Sequence, residues 1–472
     1  MSAPASPLPQ PAAEPVSRGL NLLRFPLAAR LLRSRWPQFM VSTLALGGFV
    51  LAVLTGLFGT PVGSRNFGII FVWIAWWALL MLLAVPLFGR AWCAVCPIPV
   101  PGEWLQRGAL LGPGERPSRF GLGRRWPNRL RNIWIQNIAF TLIALFSAVI
   151  LTQPRLTGVI LASFLFIATG VSLVFERRAF CRYLCPVGGF IGLYAQLAPA
   201  EVRVISTRVC AAHTEKTCYS GSADGYGCPW GLFPGGLVKN TYCGTCMECL
   251  RTCPHDNIAL RLRPFGADLM QPSGRKLDEV YKAFVMLGSA MLYAAVLLGP
   301  WGWLKSAAYS AGSLPWLGYA GAFLFFVLAG LPGLFFLAVM LGRQLAASLE
   351  RPRAVFIRLA YTLVPLGLSA WIAFSLAFVF ANFSYIWPAL SDPFGWGWDL
   401  FGWAGAAWTP YLTGLVPVLQ AGVLVGGFLW SAFTARRLAG ETLPAREAAR
   451  QAVPVIVYCL GVTLGLLALL IA

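Results

Sequence analysis

Nine stretches of this chain carry no charged side chain over lengths that can cross a bilayer, and nothing else in the sequence limits the fold so severely. They are residues 39–58, 67–88, 133–151, 156–175, 283–304, 317–341, 359–380, 412–433 and 453–472. A helix needs about 20 apolar residues to cross about 30 Å of hydrocarbon, and lipid offers backbone groups no partners, so each stretch is expected as a membrane helix. The 472 residues are 58% hydrophobic and 11% charged, with a mean hydropathy of +0.68, which suits a polytopic membrane protein and not a soluble one.

A net charge of +20 would suit a nucleic-acid partner if it were gathered on one folded face. It is distributed by loop instead. With the N-terminus in the cytoplasm, the segments before the first span and after the second, sixth and eighth hold 5, 8, 4 and 4 Lys and Arg, and the long segment after the fourth holds 13. The other face has only Arg65, Arg155 and Lys305, so 34 of the 37 basic residues share one side, as the positive-inside rule requires. Nucleic acid is thereby excluded as a partner. The expected location is the cytoplasmic (inner) membrane, multi-pass, with the N-terminus inside. The first apolar run starts too late and runs too long for a cleavable signal, so residues 1–38 are expected to be a flexible cytoplasmic tail before an uncleaved anchor. Eleven of the twelve cysteines then lie on the reducing side, where metal or redox chemistry is favoured over structural disulfides. The twelfth, Cys459, lies inside the ninth span and is expected to be a packing residue.

The chain divides into four parts: the tail 1–38, a four-helix membrane region 39–200, a water-exposed segment 201–280, and a five-helix membrane region 281–472. The first membrane region looks like an internal repeat. One hairpin ends in GRAWCAVCPIPVPGEW and the other in RRAFCRYLCPVGGFIG, each placing a basic residue, Ala, an aromatic, Cys and then Cys-Pro on the same face. The stretch after Pro186 is too short to span and is expected to lie at the interface or to pack under the exposed domain.

The exposed segment carries CGTCMECLRTCPHDNIAL, in which Cys243, Cys246, Cys249 and Cys253 precede Pro254 in the C-x2-C-x2-C-x3-C-P spacing that holds cubane iron–sulfur clusters. Such tight spacing lets three thiolates on one loop grip one face of a cluster. A zinc knuckle rarely has this compact form with proline after the last Cys. The expected fold class is therefore an all-α polytopic membrane protein of about nine helices with a small cytoplasmic ferredoxin-like iron–sulfur insertion. In two-cluster ferredoxins the fourth Cys of such a run serves the other cluster. By that analogy Cys228, Cys243, Cys246 and Cys249 would hold one 4Fe-4S cluster, and Cys210, Cys218, Cys253 and one further group a second. His213, three residues after Cys210 where a second thiolate would stand, is a candidate for that group; a surface histidine, a three-iron cluster or an outside ligand are the alternatives. His255 is expected to be a surface or tuning group. These are the only two histidines and neither lies in a span, so a haem b between two membrane histidines is excluded.

Cys93, Cys96, Cys181 and Cys185, from the two hairpin ends, supply the four thiols of a possible third cluster or other metal site. Reversible dithiols, or simple packing at helix ends, are the alternatives, and Arg90, Arg177, Arg178 and Arg182 would favour thiolates there.

These residues together resemble the membrane iron–sulfur proteins of the NosR/NapH type, on the motifs CAVCP at Cys93, CRYLCP at Cys181 and CGTCMECLRTCP at Cys243, over about residues 40–265. The resemblance implies 4Fe-4S clusters and electron transfer between membrane quinol and a partner redox protein or reductase. The first motif departs from it, with two intervening residues where that group often has three. Cys210, Cys218 and Cys228 are also more widely spaced than a standard run, and the last five spans have no assigned counterpart. Apolar grooves between spans suit a quinone. The loop between spans seven and eight has five tryptophans from Trp387 to Trp408 and two aspartates, Asp392 and Asp399, and is expected either to anchor at the interface or to dock an external partner. Two other functions stay open: a metal-reducing or thiol-redox maturation factor, and a transporter or sensor regulated by its clusters.

Overall fold

The computed structural model describes residues 19–113 and 120–471. Residues 1–18, the first half of the expected tail, lie outside the described residues. Among those described, eight helices are long and apolar enough to cross a membrane: Trp36–Phe58, Phe67–Val95, Pro154–Val174, Leu277–Leu298, Leu314–Leu345, Pro352–Ser391, Val416–Ala439 and Ala445–Ile471. The stretch expected as the third span is divided at Phe146 into Trp134–Leu145 and Ser147–Ile150. Each piece is too short to cross alone. The second piece is held by the Thr157 hydroxyl, which donates to Ile150 O.

Burial sorts the eight into layers. Pro352–Ser391 is 78% buried along its most apolar window and Leu277–Leu298 is 72% buried, whereas Trp36–Phe58 is only 22% buried. The first two are the hub and the last faces outward. The hub packs on Val416–Ala439, and this in turn on Ala445–Ile471. On the other flank Trp36–Phe58 crosses Pro154–Val174 where Gly56 meets Gly158, so close that a Cβ on Gly56 would lie 3.0 Å from the Gly158 Cα. Small residues at such crossings let backbones approach, which is how helices associate without a hydrophobic driving force. The two expected hairpins are thereby joined by their outer members.

The helix Phe67–Val95 opens into wide π-type turns from Ile70 to Phe88, with Pro86 inside, whose ring removes a backbone donor. Gly89 then adopts φ +59°, and a Cβ there would meet Ala195 and Ala198 at 3.1 Å. The chain turns sharply at this glycine and delivers Arg90 and Cys93 beneath the extramembrane module.

The module is built on three antiparallel strands in the order β1-β3-β2: β1 Leu20–Asn21, β2 Ala200–Val204 and β3 Ile258–Leu262. Leu20 and Ala200 both pair with Leu262, and Val204 pairs with Ile258. Residues 19–35, expected as part of a flexible tail, are therefore an edge strand and a helix, Pro26–Arg33, of the module. Arg251 fixes them by donating to the carbonyls of Leu32, Arg33 and Ser34, while Glu248 accepts from Arg35 at 2.9 Å. Short strand pairing alone would not hold such a segment, and these long-range polar contacts are invisible to local sequence patterns. Below the module, Glu279 receives Lys239 at 3.0 Å, Tyr361 at 2.5 Å and Tyr242 at 3.2 Å. This buried knot ties the module to the hub helices.

In the loop of five tryptophans the aspartates build turns. Asp392 accepts from the backbone of Trp396 and Gly397, and Asp399 from Ser391 Oγ and the Ala404 backbone. Both carboxylates are satisfied within the loop itself.

Candidate iron–sulfur sites

Eleven cysteines gather into three sets, and the chain order in each follows from how the hairpins and the module meet. The first set joins the two hairpin ends. Cys93, Cys181 and Cys185 are buried in the same apolar core as the membrane helices, and Cys96, Cys181 and Cys185 interact electrostatically with one another and with Cys93. Burial is the main influence on Cys96, Cys181 and Cys185 and raises each of them, Cys185 to about 11, and neighbouring thiols push all three up as well. The expected activation by surrounding arginines is outweighed. Arg178 is spent on Glu103, with Nη2–Oε2 at 2.9 Å, and on the Cys93 carbonyl. Arg90 donates to Cys181 O at 2.9 Å and Thr241 O at 2.6 Å. Thiols raised in this way are poor exchange nucleophiles, and a metal centre would stabilise them as thiolates.

The second set is Cys228, Cys243, Cys246 and Cys249. Cys249 interacts with Cys246, Cys243 and Cys228, and Cys246 with Cys228. Burial lifts Cys246 to about 12. The loop curls because Thr245 and Met247 take left-handed conformations, φ +45° and +61°, before the helix Glu248–Thr252 carries Cys249 back. Non-glycine residues adopt this region rarely and at a cost of order 1–3 kcal/mol, which the surrounding structure has to over-determine. Leu232 N lies 3.4 Å from Cys228 Sγ, a backbone donor aimed at sulfur.

Trp230 and Arg90 lie between these two sets. Trp230 is 2% exposed and stands two residues after Cys228, and the Arg90 guanidinium covers its ring at 4.3 Å. The indole packs so tightly on Gly244 that a Cβ there would fall 2.2 Å from Nε1. Five buried polar atoms around this junction have no hydrogen-bond partner among the described residues: Arg90 Nε, Arg182 Nε, Trp230 Nε1, Thr241 Oγ1 and Thr245 Oγ1. Buried donors are nearly always satisfied, and sulfide-rich clusters accept such bonds, so this surround suits the group that the cysteine spacing implies.

The third set is incomplete as a thiol site. Asn257 Nδ2 lies 3.3 Å from Cys210 Sγ and Asn257 N 3.4 Å from Cys253 Sγ, while Cys218 interacts with both cysteines. No fourth thiol joins them, because Cys459 is buried in the helix Ala445–Ile471. His213 sets Nδ1 2.7 Å from Val209 O and packs at a tilt against His255, with ring centroids 4.6 Å apart. Among the described residues no three His, Cys, Asp or Glu side chains converge as a single metal ion requires. Thiolates around a cubane stand further apart than those on one zinc, since each binds its own iron.

Sequence reasoning missed Lys282, Gln136, Glu103 and Trp230. Lys282 is fully buried in the helix Leu277–Leu298, one residue before the expected charge-free run. Its Nζ donates to Gln136 O at 3.1 Å and interacts with Cys185. The sequence offered little signal for Lys282, because Asp278 and Glu279 precede it at helical spacing and give it the look of an ordinary charged helix end.

The family model described as a 4Fe-4S binding domain matches this chain twice, at residues 69–127 and 156–203, which contain Cys93 with Cys96 and Cys181 with Cys185. The duplication inferred from the two Cys-Pro hairpins thus has an independent counterpart. Together with the eight apolar helices, these matches define a polytopic membrane 4Fe-4S protein, and the resemblance to the NosR/NapH type holds at that level. The chain is also similar to YccM of Escherichia coli (strain K12), a protein named for electron transport, at 28% identity over 123 residues, 26% of this chain. The chain spans about 29% of that relative's length. No solved structure matches.

Proposed function

We propose that this protein carries electrons between a membrane quinone or quinol and a partner redox protein through three iron–sulfur sites. The observation that carries this is the spatial order of the three thiol sets. The Cys93, Cys96, Cys181 and Cys185 set lies at the ends of the two membrane hairpins. The Cys228, Cys243, Cys246 and Cys249 set adjoins it across Trp230 and Arg90, and the Cys210, Cys218 and Cys253 set lies beside the exposed Pro254, His255 and Asp256. Storage of single electrons is what 4Fe-4S clusters supply when bound at such sets. The protein's own part is to bury the thiols, to aim N–H groups at sulfur from Gly188, Leu232 and Asn257, and to place Arg90 between the first two sets. At the membrane end, an apolar cavity of about 290 Å³ reaches Cys96 and Pro97 and is walled by Phe49, Trp73, Trp77 and Trp371. Its size and lining support an apolar ring or isoprenoid chain as occupant. On the nine-span topology expected from the sequence, 34 of 37 basic residues fall on the module's side, which supports a cytoplasmic module and an inner-membrane location.

The test is anaerobic purification with iron, sulfide and zinc analysis. Three loaded sites give up to about twelve irons per chain, and addition of quinol to the membranes bleaches the clusters' visible absorption. Stoichiometric zinc with no iron would sink the proposal. Stoichiometric copper reduction with no response to quinol would support the maturation-factor alternative instead.

A further inference from the structure

We propose that the outer site, formed by Cys210, Cys218 and Cys253, holds its cluster through only three thiolates and leaves one iron exchangeable, with His213 as the closing ligand. This rests on the function proposed above and concerns one corner of one site. All twelve cysteines are accounted for, eight in two sets of four, three here, and Cys459 in a membrane helix, so a fourth thiolate is excluded by count. The three sulfurs are fixed by the module. Asn257 sits against both Cys210 and Cys253, and Thr217 Oγ1 donates to Thr252 O at 2.6 Å, tying the turn of Cys218 to the residue before Cys253.

His213 is positioned for the role by chain and by contact. It follows Cys210 at the spacing of a missing second thiolate. Its Nδ1 is occupied by Val209 O, so the proton resides there and the Nε2 lone pair is free for a metal. Its ring lies at a tilt against His255, two residues after Cys253, so this contact bridges the two segments that supply thiols. Lys216 Nζ donates to the carbonyls of Cys210 and His213 and holds this turn closed. Imidazole is a weaker and more labile iron ligand than thiolate, and this set is the one at the protein surface.

The chemistry balances as follows. A one-electron oxidant such as ferricyanide takes one electron from the cluster. The bond from the open iron to His213 breaks, and that iron leaves as Fe²⁺, so a dication of four irons becomes a monocation of three. Added Fe²⁺ and a one-electron reductant reverse the step. The other two sites, each closed by four thiolates, do not take part.

The experiment uses the full chain in detergent, prepared anaerobically. Expected is the EPR signal of a three-iron cluster on ferricyanide treatment, with loss of about one iron per chain and recovery on addition of Fe²⁺ and dithionite. His213→Cys supplies a fourth thiolate and abolishes the conversion, whereas His255→Ala leaves it in place. His213→Ala keeps the cluster but loses the iron more readily. If Cys210→Ala removes no iron, the outer set carries no cluster and the inference fails. If wild-type clusters are present but ferricyanide yields no reversible three-iron signal, the open corner is refuted while the proposed function stands. A chain with no iron at any set refutes both.

Discussion

The contact between Gly244 and Trp230 makes the sharpest demand on the structure. A Cβ added at Gly244 would stand 2.2, 2.4 and 2.6 Å from Nε1, Cε2 and Cζ2 of the indole. Ordinary carbon contacts are near 3.5–4.0 Å, so Gly244→Ala requires a displacement of roughly an ångström or more. The indole has nowhere to go. It is 2% exposed, Arg90 covers its face, and Arg182 donates to its carbonyl. The loop cannot yield cheaply either, because Thr245 and Met247 already occupy left-handed conformations between the thiols of the second set. Overpacking of this kind costs about 1–3 kcal/mol, and here it falls on the segment that spaces Cys243 from Cys246. Gly244→Ala is therefore expected to lower thermal stability and to lose about four irons per chain, read by iron and sulfide analysis and by EPR. Gly47→Ala, where a Cβ meets nothing within 4 Å, is the control and should leave both unchanged. Trp230→Leu in the Gly244→Ala background should cost less than the two single changes added together, by about 0.5–3 kcal/mol of coupling. A Gly244→Ala protein with full iron content and unaltered melting would falsify the packing account of this junction.

Glu103→Ala strands the Arg178 guanidinium, which is 5% exposed, without its carboxylate partner, and breaking a buried pair in this way costs about 3–5 kcal/mol. Unfolding of the purified protein should shift accordingly, and an unchanged melting temperature would show that the pair contributes nothing net. The Glu248 carboxyl loses stability from burial, but Arg35 and Arg251 outweigh this and hold it below its usual value of 4.5. A depressed carboxylate stabilises fully above its unfolded value and fails only as pH falls through the lower folded one. Residues 20–35 should then stay protected from hydrogen exchange and protease at mildly acid pH and be released only below about pH 4; release on going from neutral to mildly acid pH contradicts the assignment. Ile160→Trp fills the cavity beside Cys96 and should reduce quinol-driven reduction several-fold at unchanged iron content; equal loss of iron and activity would mean that the helix bundle, and not the cavity, was disturbed.

How far the sequence reached is clearest in particular elements. The pattern of charge-free runs located all eight long helices, because exclusion of charge from hydrocarbon acts residue by residue, but not all their ends: Pro352–Ser391 extends well beyond the expected 359–380 on both sides. The pattern also misjudged the ends of the helix Leu277–Leu298, where Lys282 is buried against Gln136 and Cys185, since a partner supplied by another helix lowers a cost that hydropathy counts in full. Residues 133–151 had the composition of a span but not its continuity, and the break at Phe146 is set by neighbours such as Thr157. Residues 19–35 looked like a tail because a two-residue edge strand has no local signature, and only the strand Ile258–Leu262 and Arg251 give it a place.

Cysteine spacing by itself pointed to iron–sulfur chemistry, and the duplicated Cys-Pro motifs to two equivalent hairpin ends, because metal ligation is a matter of residue type and separation along a loop. The tertiary structure alone decided the rest. It let burial outweigh the arginines at Cys96, Cys181 and Cys185, set Trp230 and Arg90 between the first two thiol sets, and left the outer set one thiol short beside two histidines in contact. Burial, orphaned donors and approach between segments more than a hundred residues apart are properties of packing, and no local pattern encodes them.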